Sequence, residues 1–157
     1  MKSGVKVMIA ALTAGLRRTR ASRWTVTGMA FMMYGCALFS TQPNIMLSGQ
    51  EEVPAVSTKG FAMGRIAIGR DKKASGSIKV LGVEVLAAHI HVAGPGKIGP
   101  PIITLIKVSK QVWAVPMGTV LSDGQYDSYL AGELYVNVHS ANHRSGEIRG
   151  QLRPKSK

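Results

Sequence analysis

The chain has 157 residues, 18 of them glycine, with 6% aromatic content and a formal charge of +12. That length suits one domain plus an appendage, and many glycines with few aromatics favour a turn-rich β domain over a helical bundle. The charge invites a nucleic-acid partner, but its distribution speaks against one. Residues 1–40 hold Lys2, Lys6, Arg17, Arg18, Arg20 and Arg23 with no acid, while residues 41–157 scatter 14 basic and 8 acidic residues with no basic stripe and no interleaved aromatics.

In chain order, residues 1–40 read as an address: a signal peptide, or a membrane or lipid anchor. The basic RRTRASR precedes an almost uncharged run of 17 residues, Trp24 to Ser40. Basic flank, apolar run and small residues follow the order of an export signal, and the run is marginal for spanning a bilayer. Cys36 is the only cysteine, so no disulfide forms within the chain. It is the candidate for lipidation in MMYGC, although Tyr34 is bulky where that signal prefers a small residue. The alternative is cleavage after Ala37. Either way residues 41–157 work outside the cytoplasm, and contact with a membrane runs only through the N-terminal segment.

From Asn44 onward, short strands alternate with turn residues. FAMGRIAIG sets Ala62, Gly64, Ile66 and Ile68 on one face and Phe61, Met63, Arg65 and Ala67 on the other. The stretch from Ser77 to Val92 is too long for one straight strand, and Gly82 marks a bend or bulge. GPGKIGPP is loop. IITLIKV and QVWAVPMGTV follow, the second interrupted by Pro116. SDGQYDSYLAG predicts the one helix, with Ser122 as cap, Gln125 as capping-box partner and Gly132 beyond its end. ELYVNVH and GEIRGQL close the domain. Strands at this spacing with one short helix predict an all-β antiparallel sandwich or barrel.

Four stretches in this order, LSGQEEVPAV (47–56), AAHIH (87–91), GELYVNVHS (132–140) and GEIRGQL (146–152), resemble the CHRD domain, a family named for the repeats of chordin and found in many bacterial secreted proteins. The resemblance runs from Leu47 to Leu152. It implies an immunoglobulin-like or Greek-key β domain over residues 41–157 and a non-enzymatic role, without naming a ligand. Glu51 and Ala55 stand where glutamine and proline are usual, and His143 lies in a loop usually built of small residues, Asn and Pro.

Period-2 alternation carries the site. In AAHIHV, His89 and His91 lie opposite Ile90 and Val92; in ELYVNVH, Tyr135, Asn137 and His139 lie opposite Leu134, Val136 and Val138. In GEIRGQL, Glu147, Arg149 and Gln151 point away from the core. SANHRSG is short enough to make the last two strands a hairpin, pairing Tyr135–His139 with Glu147–Gln151. If the HIH strand neighbours that hairpin, His89, His91 and His139 meet. Three neutral imidazoles suit Cu or Zn, with Asn137, Glu147 or Arg149 orienting a ligand or forming a polar cluster, and His143 peripheral. The other reading is a hydrogen-bonded scaffold that pins the loop Gly94–Pro101.

Side-chain catalysis has little support. No nucleophile-elbow sequence occurs, Cys36 belongs to the leader, and prolines in GPGKIGPP replace the amides that a phosphate loop needs. Glu51 and Glu52 read as a solvated strand end, Met63 and Met117 as core fillers, Trp113 and Tyr126 as packing. The sequence therefore predicts an exported cell-envelope module that binds an envelope protein or a small ligand, or plays a structural part, without catalysis. The alternative is a copper- or zinc-binding protein with a redox or metal-handling role.

Overall fold

The computed structural model describes residues 44–154; the expected leader, Cys36 included, lies outside them. Nine strands follow in chain order: β1 (Ile45–Ser48), β2 (Phe61–Ile68), β3 (Ala74–Leu81), β4 (Val85–Val92), β5 (Pro101–Thr104), β6 (Ile106–Lys107), β7 (Val112–Ala114), β8 (Leu134–Ser140) and β9 (Ile148–Leu152), with one helix, α1 (Asp123–Leu130), between β7 and β8. They form one antiparallel sheet in the order β5-β4-β8-β9-β1-β2-β3-β7-β6, curled into a nearly closed barrel. The expected all-β architecture with a single α-helix is what the described residues adopt. Among the described residues no helix is long and apolar enough to cross a membrane.

The ends of the sheet come from one run of chain. β5 pairs with β4 at one end, β6 pairs with β7 at the other, and only Leu105 separates them. Leu105 is buried, and its N–H donates to the Ala88 carbonyl. IITLIKV, read from the sequence as one strand, thus divides to serve both ends of the curled sheet.

The interior follows the period-2 pattern. Ile45, Leu47, Ala62, Ile66, Ile78, Val80, Ala88, Ile90, Leu134, Val136, Val138, Ile148 and Leu152 are all buried in one core cluster with Trp113. Tyr126 packs against it, as expected. Met63 and Met117 do not: both are exposed. Met63 shares the outer face of β2 with Phe61, and Met117 follows Pro116 beyond the end of β7, where no strand continues to carry it inward.

Two turn features match the sequence. Gly82 sits at φ +72° between β3 and β4, a left-handed conformation that costs glycine little, and it frees β4 to cross to the far side of the sheet. Ser122 caps α1 in a full capping box, its side chain accepting from Gln125 N–H while the Gln125 side chain accepts from Ser122 N–H.

Candidate metal centre

β4, β8 and β9 lie side by side. Their register pairs His89 with Asn137, His91 with Tyr135, Asn137 with Arg149 and Tyr135 with Gln151. The hairpin pairing expected from SANHRSG is therefore the one observed. Residues directly opposite in neighbouring strands share a face, so the alternation gathers His89, His91, Tyr135, Asn137, His139, Arg149 and Gln151 on the side of the sheet away from the core.

That side is not open to water. Every residue of β8 is buried, on both faces. The loop between β4 and β5 folds over it: Arg149 Nη1 donates to Lys97 O at 2.7 Å, Arg149 Nη2 to Gly94 O at 3.2 Å, and Gln151 Nε2 to Ala93 O at 2.9 Å. The segment between β1 and β2 closes the other flank, where Thr58 Oγ1 donates to Glu147 Oε1 at 2.6 Å. Tyr135, only 1% exposed, stacks on His91 with ring centroids 4.9 Å apart, and the Arg149 guanidinium lies 3.6 Å above its other partner surface, the tyrosine ring.

The three histidines converge under this cover. Ring centroids are 5.6 Å apart for His89–His91, 5.0 Å for His89–His139 and 5.7 Å for His91–His139. One ring nitrogen from each lies within 4.8 Å of the others. Two rings are fixed by the backbone, His91 Nδ1 donating to Gly99 O and His139 Nδ1 to Arg144 O, each at 2.9 Å. A carbonyl can only accept, so both rings carry their proton on Nδ1 and leave the Nε2 lone pair free. His91 Nε2, His139 Nε2 and His89 Nδ1 are buried without a hydrogen-bond partner. Burial, the largest cause, pushes all three imidazoles below their ordinary pKa of 6.5, and the neighbouring ring of His139 adds to this at His89 and His91. Neutral rings with unspent lone pairs are the form that ligates a metal.

The remaining site residues fall into separate roles. Arg149 and Gln151 hold the loop, as a scaffold would. Glu147 is committed to Thr58, so the partners that orient His91 and His139 are backbone carbonyls. Asn137 is paired with His89 across β4 and β8, and its amide favours the charged form of Glu52. His143 stays outside the group of three, its N–H bonded to Ser140 Oγ within the turn.

Glu52 departs from expectation. Its neighbour Glu51 is exposed, but Glu52 is 8% exposed, with Oε1 lacking a partner. Its carboxyl is pushed up to about 7 by burial, which outweighs the Arg149 charge, the Val53 N–H and the Asn137 amide. A 3-10 turn at Gly49–Glu51 ends at Glu52 and swings it inward instead of leaving it on a strand end. Tyr135 lies on the non-core face that alternation gives it; the loop that buries it there is what alternation alone does not reveal.

The model of the CHRD domain family matches residues 44–152, the whole of the described sheet. The chain belongs to the CHRD domain family. No curated protein and no solved structure matches it. Family membership supports a non-catalytic, extracellular-type module, and the CHRD motifs AAHIH and GELYVNVHS are the segments that supply the three histidines.

Proposed function

We propose that this CHRD domain is an exported cell-envelope module that binds one transition-metal ion, copper or zinc, through His89, His91 and His139. One observation carries the reading: three imidazoles converge with one nitrogen of each within 4.8 Å of the others, and each ring has a buried nitrogen without a hydrogen-bond partner. Leaving a buried polar atom unpaired costs about 1–3 kcal/mol, and three such atoms in one place call for a common partner. A metal ion satisfies all of them at once. Bonds of about 2.0–2.1 Å to imidazole require the rings to draw closer, and His89, the least buried of the three, has no backbone hydrogen bond that fixes its Nδ1. Export accords with the basic and apolar order of residues 1–40, which we take to be the leader or anchor.

Metal analysis of protein purified without a histidine tag tests the reading. One equivalent of Cu²⁺ or Zn²⁺ is expected, with most of the affinity lost in His91→Ala and in His139→Ala while the β-rich circular dichroism persists; His143→Ala should retain it. Protein that takes up no stoichiometric metal, and whose histidine variants lose only thermal stability, would leave the histidines as scaffold for their loop.

A further inference from the structure

We propose that the centre prefers monovalent copper, Cu⁺, to zinc and other divalent ions. This rests on the metal-binding reading above and names its ion. The donors are three uncharged imidazoles, and among the described residues no cysteine, aspartate or glutamate joins the group. Stripping an ion of water costs energy that rises with the square of its charge, and a buried ion is tolerated only where partners repay that cost. A dication here would stay at +2 after ligation, a monocation at +1.

The surroundings sharpen the difference. A cation is already in place beside the centre: Arg149 lies over Tyr135, and Tyr135 stacks on His91. Neither buried acid joins the three: Glu147 is bonded to the Thr58 hydroxyl, and Glu52 lies outside the group. Zinc also asks for four ligands, the fourth commonly a water that loses a proton and so offsets charge. Each ring has a nitrogen shut off from solvent, and His91 and His139 are buried whole, which disfavours an added hydroxide. Cu⁺ has a filled d shell and is satisfied by two or three donors, and three is what the fold supplies.

The test is anaerobic titration of tag-free, metal-stripped protein at neutral pH, with Cu⁺ buffered by bicinchoninate and Zn²⁺ buffered by a chelating dye. One equivalent of Cu⁺ is expected, held roughly a hundredfold or more tighter than Zn²⁺, with an X-ray absorption edge of three-coordinate Cu⁺. His89→Asp supplies the missing negative donor and should narrow or reverse the preference. Zn²⁺ bound as tightly as Cu⁺, or a preference unmoved in His89→Asp, overturns the inference while leaving a metal centre. Uptake of neither ion overturns both it and the reading beneath it.

Discussion

Glu52 shows how one residue sets the acid–base behaviour of the fold. Its carboxyl is held up to about 7 from 4.5, so between these values the folded chain binds the proton more tightly than the unfolded chain. Stability is then favoured at low pH and falls as pH rises from 4.5 through 7, the reverse of a salt-bridged acid. Glu52→Gln should match the parent near pH 4.5 and exceed it above 7 by on the order of 3 kcal/mol, the free energy of a displacement from 4.5 to about 7; urea denaturation at several pH values checks this. The histidines work in the opposite sense. With pKa values lowered from 6.5, they resist charging in the folded chain, so stability from them is lost as pH falls below 6.5. Tyr135 is the second residue whose weight lies hidden. It is buried between His91 and Arg149, with its hydroxyl accepting from Gly99 N–H at 3.2 Å. Tyr135→Ser should cost about 3–5 kcal/mol, as large-to-small changes do, and Tyr135→Phe about 1 kcal/mol for the lost hydrogen bond, both read from denaturant midpoints.

At the scale of elements, alternation in β2, β4, β8 and β9 was legible because successive side chains of a strand face opposite sides, the aliphatic ones toward the core. The capping box of α1 was legible because Ser and Gln satisfy specific orphan N–H groups at a fixed spacing. The three-histidine convergence could be read only conditionally: alternation gives the face, but the pairing of β4 with β8 is a long-range choice that no local pattern encodes. The loops were legible only in part: a pinned Gly94–Pro101 loop was one of the two readings of the histidines, and His91 and Arg149 do hold it. Nothing in EEVPAV or GPGKIGPP states how far these segments fold back over the outer face, so the burial of Glu52 and of Tyr135 is not written in the local pattern. The β4–β5 loop depends on close approach at Gly99, where a Cβ would stand 1.8 Å from the Val92 carbonyl oxygen. Gly99→Ala should therefore push the loop away, release the Gly99 carbonyl from His91 and lower metal affinity by about 10–100-fold, the usual effect of losing a partner that orients a ligand. Competition with a chelator measures it, and a native circular dichroism spectrum separates it from unfolding.

For the whole molecule, the division of labour is between the two faces of one curled sheet. The inner face is aliphatic and holds the barrel together; the outer face of β4, β8 and β9 is polar, yet buried by loops that its own arginine and glutamine tie down. The run Pro101–Lys107, which supplies both ends of the strand order, has a bearing on how such a protein survives among crowded neighbours. A sheet that simply ended would offer a ladder of unpaired amides and carbonyls on which another chain could continue it, the usual seed of aggregation and domain swapping. Here the edge strands are four and two residues long and share one backbone. A stray strand arriving at either edge finds almost no length to grip before Leu105 turns the chain into the protein.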